Sequence, residues 1–127
     1  MASARPIPLA APLIAATGCL IPFDCDTFSR DALLGLLARV EEIKVDHNRG
    51  LVVEGIVVNQ FQPRASLPQQ LLDELISEGL PVLPVYLSSS VRMRESHQAS
   101  QPLIHFDPRH KLTRQFVDLH DYLDQNA

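Results

Sequence analysis

The sequence predicts an α/β fold with three layers, in which a partial, doubly wound parallel sheet lies between helices. Apolar segments of strand length alternate with amphipathic segments of helix length, and the connections between them are short. Such alternation implies right-handed crossovers and parallel strands. The segment 51–59 is apolar almost throughout, which is typical of a parallel strand that is buried on both faces.

The chain is expected to form one domain. Its 127 residues fall within the usual size of a single domain. Three strands are few for a doubly wound sheet, so we expect an incomplete domain over residues 1–127. Residues 1–17 are rich in Pro and Ala, lack periodicity, and form a poorly defined N-terminal segment. Residues 18–127 follow the order strand, helix, strand, helix, strand, loop, helix.

The first half of the chain predicts a strand and a helix. The short apolar run 19–23 is the strand. Asp24, Asp26 and Thr27 follow it, and such residues cap helix N-termini. The two carboxylates are therefore assigned to capping rather than to catalysis. The apolar residues of the helix recur every three to four positions; they are Leu33, Leu34, Leu37, Val40 and Ile43.

The second half predicts two further strands and two helices. The strand 51–59 is followed by a helix capped by Ser66, and a third strand covers 81–87. The polar, charged stretch 88–108 is predicted as a loop, and an amphipathic helix runs from about 109 to 124.

Composition excludes several classes of protein. The apolar fraction is 46% and the charged fraction 20%, as in a soluble globular protein. No apolar run reaches the roughly eighteen residues of a membrane span. The apolar start, residues 6–16, contains three prolines and lacks a cleavage site, so we expect no secretion signal and a cytoplasmic protein. The net charge of −4 argues against a generic nucleic-acid binder, although residues 88–114 are locally basic.

The cysteines and histidines predict neither a disulfide nor a metal site. Cys19 and Cys25 lie on one strand and its exit, where their Cα atoms would be about 20 Å apart, which is beyond disulfide reach. The five histidines show no metal-ligand spacing. We therefore expect reduced thiols and no bound metal.

Three stretches resemble ParA/MinD-type partition ATPases. After the third strand, eight positions match the family's V-R-x-R-E and Pro-x-x-x-aromatic-Asp-Pro pattern; they are Val91, Arg92, Arg94, Glu95, Pro102, Phe106, Asp107 and Pro108. The segments 20–26 and 54–61 resemble two further strands of the family. The resemblance covers about residue 15 to the end, and it implies the C-terminal half of a P-loop NTPase-like domain.

The resemblance implies a nucleotide-base side formed by Asn59, Ser88 and Val91. An amide at the carboxyl end of a buried strand can pair with an adenine edge. Capping of the following turn is the alternative role for Asn59. Ser88 stands where many family members have a proline that lines the base.

The resemblance also implies a DNA-binding side with Arg64, Arg92 and Arg94. In the family, basic residues on this side hold phosphates of nonspecific DNA, and such binding depends steeply on salt. Surface ion pairing, for instance of Arg92 or Arg94 with Glu95 or Asp107, is the alternative.

The catalytic part of the family's pattern does not occur in these residues. Phosphoryl transfer in this class needs a Gly-rich loop that ends in Gly-Lys-Ser/Thr, and neither lysine of the chain follows a glycine. We therefore expect no catalytic residue and no cofactor in this chain alone, whereas the parent family uses ATP and Mg²⁺.

Two functions follow from these observations. The first is the C-terminal part of a ParA-like ATPase for plasmid or chromosome partitioning, whose parent forms homodimers and has a ParB-like partner. The second is a non-catalytic interaction module that binds DNA or a full-length ParA-like partner. In either case a three-stranded sheet would expose a hydrophobic edge, so we expect marginal stability and self-association through that edge.

Overall fold

The computed structural model describes residues 10–126, and they form a three-stranded parallel sheet with helices on both faces. This confirms the predicted fold class. The elements are α1 Ala10–Ala15, β1 Gly18–Phe23, α2 Thr27–Asp46, β2 Val52–Phe61, α3 Ser66–Ser77, β3 Val82–Ser88, α4 Val91–Gln98, α5 Leu103–Phe106 and α6 Lys111–Gln125. Among residues 10–126, no helix has the length and apolar character to cross a membrane.

The sheet has the order β1-β2-β3, so β2 is the central strand. Phe23 of β1 pairs with Val58, and Phe61 at the end of β2 pairs with Ser88 at the end of β3. The carboxyl ends of the three strands therefore lie together at one end of the sheet. In open α/β sheets, ligands bind at the carboxyl ends of the strands.

The two faces of the sheet bury separate clusters of apolar side chains. On one face, strand residues pack against α2 and α3; the fully buried members include Phe23, Ile56, Val58, Leu72 and Leu75. On the other face, Val57, Leu83 and Leu87 pack against Leu103 and Leu112 of α5 and α6. This second cluster lies mainly over β3, because no described helix covers β1 on that side.

Gly55 allows β2 and β3 to pack closely. A Cβ atom at this position would lie 2.4 Å from Cδ2 of Leu83. Leu83 is itself buried in the cluster beside α6. The absence of a side chain at Gly55 is therefore what makes room for the leucine over the centre of the sheet.

The stretch 88–108, predicted as a loop, contains α4 and α5, and the loop prediction was wrong. Ser90 caps α4, because its Oγ accepts a hydrogen bond of 3.1 Å from the backbone N–H of Arg92. Ser96 is fully buried in this helix and donates its hydroxyl to the carbonyl of Met93. α4 is too short and too polar to show the apolar repeat by which helices are recognised in a sequence.

Residues 10–15 form a helix that the composition of the N-terminal segment does not predict. The part of the 1–17 prediction that concerns residues 1–9 lies outside the described residues, but α1 occupies 10–15 and packs Leu13 against α2. The side-chain amide of Asn48 donates to the carbonyls of Leu13 and Ala16, at 3.0 and 2.7 Å. These bonds satisfy carbonyls at the end of α1 and attach the helix to the α2–β2 connection.

Candidate functional site

A cavity of about 570 Å³ lies at the carboxyl ends of the strands. Its volume is within the usual range for small-molecule sites. Val57, Leu112 and Phe116 are among its apolar lining residues, and polar residues from β2, β3 and α4 also line it. We call this space the strand-end cavity. It combines an apolar surface with a few polar groups, as ligand pockets generally do.

Asn59 lines this cavity from β2, where the sequence places it. Its Nδ2 donates a hydrogen bond of 3.2 Å to Oδ1 of Asp24. One amide hydrogen and the carbonyl oxygen of Asn59 are left for other partners. The bond to Asp24 joins the ends of β1 and β2, so the side chain has both a local structural contact and capacity to bind a ligand.

Ser88 also lines the cavity and is held by α6. Its backbone N–H donates to Oε1 of Gln115 at 2.7 Å, and Nε2 of Gln115 donates to its Oγ at 2.8 Å. Val91 begins α4 and is 66% exposed. The residues that line the strand-end cavity include Asn59 and Ser88 but not Val91.

Arg92 is engaged within the protein. Its Nε donates to Oδ2 of Asp107 at 3.0 Å, and its Nη1 donates to Oε2 of Glu95. The guanidinium also lies 4.5 Å from the ring centroid of Phe106, which is a cation–π distance. The hydrogen bonds to Asp107 and Glu95 raise the pKa of Arg92. Arg92 therefore forms the surface ion pairs that are the alternative to a DNA-binding role, and its contacts join α4 to α5.

Arg94 and Arg64 are exposed and lie in different places. Arg94 is on α4 and lines the strand-end cavity. Arg64 follows β2 and lines a neighbouring cavity of about 370 Å³, which also includes Lys111. Within residues 10–126, the ion pairs of arginine involve Arg30, Arg39 and Arg92 only. The three predicted arginines thus comprise one paired and two unpaired cations, which are not brought together.

His110 and Gln115 are two site residues that sequence reasoning missed. His110 caps α6, since its Nδ1 accepts a hydrogen bond of 3.0 Å from the N–H of Leu112. Its Nε2 therefore carries the hydrogen in the neutral ring, and it lies 3.5 Å from Oγ of Ser90. One imidazole thereby joins the first turns of α4 and α6. The position of His110 before an apolar helical repeat was an available signal, although histidine is not among the preferred N-cap residues.

The cysteines are free thiols that the surrounding residues keep protonated. Cys25 is buried, and burial together with the carboxylates of Asp24 and Asp26 raises its pKa to about 11. Burial and Glu54 also raise the pKa of Cys19. A protonated thiol is a poor nucleophile and a poor metal ligand. Within residues 10–126, no group of three or more His, Cys, Asp or Glu side chains is arranged to hold a metal ion.

Comparison with known proteins finds relatives that include partition proteins. Soj of Bacillus subtilis, a sporulation initiation inhibitor protein, is 26% identical over 84% of this chain and 43% of its own length. The chromosome partitioning protein ParA of Myxococcus xanthus is 28% identical over 84% of the chain and 38% of its own length. The chromosome-partitioning ATPase Soj of Thermus thermophilus is 32% identical over 74% of the chain and 38% of its own length. No protein-family model matches the chain.

The chain spans about two fifths of the length of these curated relatives, namely 43%, 38% and 38% of the three. The match extends over most of the chain, in agreement with the resemblance read from its motifs. The chain is a homologue of the ParA/Soj partition ATPases, and it fits a C-terminal part of such a protein.

Proposed function

We propose that the chain is the C-terminal part of a ParA-like ATPase for plasmid or chromosome partitioning. The whole protein would bind ATP with Mg²⁺, form a homodimer, coat DNA nonspecifically in the cytoplasm and respond to a ParB-like partner. The observation that carries this proposal is the similarity to Soj and ParA proteins over 74–84% of the chain. The strand-end cavity, and the exposed cations near the carboxyl ends of the strands, are compatible with this proposal.

In this proposal the strand-end cavity receives the nucleotide base. Asn59 would pair with the base through its free amide hydrogen and carbonyl oxygen, and Ser88 would lie beside it. Val91 would act at most from the outer rim, because it is exposed at the start of α4. The 127 residues contain no Gly-Lys-Ser/Thr loop, so the phosphates and Mg²⁺ would have to be held by another part of the whole protein.

The nucleotide part of the proposal is tested with the purified chain. We expect no ATP hydrolysis above background and only weak ATP binding, because the lysine and backbone amides that cradle the phosphates are missing. Isothermal titration calorimetry and a phosphate-release assay measure the two quantities. Micromolar affinity, or phosphate release that depends on Mg²⁺, would contradict this expectation.

The DNA part of the proposal assigns phosphate contacts to Arg64 and Arg94. Any DNA binding should be independent of DNA sequence and should weaken as the salt concentration rises. In a plot of the logarithm of the association constant against the logarithm of the salt concentration, the slope should have a magnitude of about one per phosphate contact. Replacing Arg94 with Ala should therefore reduce the slope by about one. Arg49→Ala is the matched control, because Arg49 is also exposed but precedes β2, at the opposite end of the strands. An equal fall in slope with Arg49→Ala would remove Arg94 from the DNA-binding side.

The alternative is a stand-alone module that binds DNA or a full-length ParA-like partner without nucleotide. Arg64 and Arg94 would serve such a module, because both are exposed and an arginine needs no nucleotide to bind a DNA phosphate. The coding sequence upstream of Met1 discriminates between the two functions. A Gly-rich loop encoded there in frame, or behind a frameshift, supports the partition ATPase, and an unrelated gene or a promoter supports the module.

A further inference from the structure

The exposed face of α6 carries its charges in two blocks. Lys111 and Arg114 lie in the first half of the helix, and Asp118, Asp121 and Asp124 lie in the second half. All five residues are exposed, whereas the face that packs on β3 is apolar. The helix therefore presents a basic half and an acidic half to solvent. We call these five residues the charged face of α6.

The order of these charges is unfavourable for an isolated helix. The N-terminus of a helix carries a partial positive charge, and its C-terminus carries a partial negative charge. The first turn of α6 contains no acidic residue and its last turn contains no basic residue. Instead, Lys111 lies in the first turn and Asp124 in the last. Each end thus has a side chain of the same sign as the adjacent end of the dipole, and an external group of opposite charge would stabilise it.

The chain itself compensates these charges very little. Within residues 10–126, the ion pair recorded on this face joins Asp121 to its neighbour His120 at 3.4 Å. Lys111 and Arg114 belong to no ion pair of the described residues. Val117 lies between the two blocks and is 41% exposed. A partner that fits this face therefore has an apolar centre and the same two blocks of charge in the reverse order.

A second copy of α6 has this arrangement when it runs antiparallel to the first. Arg114 and Asp121 are seven residues apart, which is about two turns, so they lie on one line along the helix. They are equally far from the midpoint of the face, which lies between positions 117 and 118. When the two midpoints coincide, Arg114 is level with Asp121 of the second copy, and Lys111 is level with its Asp124. A parallel copy would instead bring like charges together.

We propose that two copies of this chain pair through α6, antiparallel, about a two-fold axis beside Val117. Such a contact closes on itself, so the ion pair between Arg114 and Asp121 forms twice. The inference does not depend on the proposed function, because it needs neither nucleotide nor DNA. A helix of 15 residues is about 22 Å long and supplies a small interface. The dimer is therefore weak, and it weakens further as the salt concentration rises.

Exchanging the charges of Arg114 and Asp121 tests the pairing. Arg114→Asp alone, or Asp121→Arg alone, places like charges opposite each other at both symmetric positions. Each single variant should therefore raise the dissociation constant of the dimer about tenfold or more. The double variant, Arg114→Asp with Asp121→Arg, restores opposite charges and should restore dimerisation. Sedimentation at several protein concentrations, without nucleotide, measures the constant, and circular dichroism verifies that each variant is folded.

Arg49→Asp is the matched control, because Arg49 is also exposed but lies in the α2–β2 connection. It should leave the dissociation constant unchanged, and an effect equal to that of Arg114→Asp would mean that only net charge matters. Amide chemical shifts locate the contact, since the signals of Val117 and Asp121 should move as the protein concentration rises. Shifts that spare α6, or a double variant that dimerises no better than the single variants, would overturn the pairing.

Discussion

Arg92 and Arg94 are two residues apart, yet their surroundings give them different roles. Arg92 donates to Asp107 and Glu95 and stacks on Phe106. Arg94 is exposed on the same helix and lines the strand-end cavity. A cation that is already hydrogen-bonded to two carboxylates gains little from a phosphate, because those bonds would have to be broken first. The pairing of Arg92 thus leaves α4 with one cation for a ligand and one that holds α5.

Arg92→Ala should lower the thermal unfolding midpoint of the chain. The change leaves Asp107 and Glu95 without their cation and removes the stacking on Phe106, so α5 loses its attachment to α4. Arg92→Lys should lower the midpoint less, because a lysine keeps the charge but cannot hold both carboxylates and stack at once. Thermal denaturation followed by circular dichroism measures the midpoints. An unchanged midpoint in Arg92→Ala would show that the contacts add nothing to stability.

The sequence predicts where a residue lies along an element, but not which partners its side chain binds. It predicts that Asn59 and Ser88 lie at the strand ends, because the apolar runs end there. It does not separate Arg92 from Arg94, since pairing depends on Asp107, fifteen residues later, returning to α4. Lys111 was missed for the same reason: only the folded chain brings it to the cavity that Arg64 lines.

Among the elements, β2 is the one that the sequence predicts most directly. Its apolar, β-branched run indicates a strand covered on both faces, and it lies at the centre of the sheet. α4 is the opposite case, because it is short and polar and is held by Ser90, Ser96 and contacts made by Arg92. Tertiary contacts of this kind leave no periodic trace in the sequence.

Gly55→Ala and Gly35→Ala should change stability in opposite directions. At Gly55 the new Cβ would lie 2.4 Å from Leu83, which is only 4% exposed and cannot easily move. We expect a loss of about 1–3 kcal/mol in the free energy of unfolding. At Gly35, within α2, the new Cβ would meet no described atom within 4 Å apart from the adjoining backbone of its own helix, so the better helix former should add about 0.5–1 kcal/mol.

Urea denaturation of both variants measures these free energies. If the clash at Gly55 is the cause, combining Gly55→Ala with Leu83→Ala should cost less than the sum of the two single changes. Strict additivity, or a Gly55→Ala variant as stable as the unmodified chain, would contradict the packing account of this glycine.

One half of the sheet is covered less than the other. β3 lies under α6, whereas β1 pairs with β2 alone and presents Leu20, 40% exposed, on the same side as the strand-end cavity. Each outer strand also carries an exposed proline, Pro22 in β1 and Pro84 in β3. Proline lacks the N–H that a neighbouring strand needs, so it limits the addition of strands at both edges. The uncovered face of β1 is therefore a better candidate for self-association than a continuous ladder at its edge.

We expect the isolated chain to self-associate through that face and to be only marginally stable. Apolar surface of this kind rarely stays exposed to water when it is extensive, and Phe116, 39% exposed, projects from α6 beside it. Phe116→Ser should shift sedimentation velocity profiles toward monomer. Phe28→Ser is the control, because Phe28 is 85% exposed but lies at the start of α2, on the other side of the sheet. If the unmodified chain sediments as a monomer at every concentration and unfolds cooperatively at high temperature, then β1 needs no covering partner. If Phe28→Ser alone disperses the assembly, the contact surface is α2 instead.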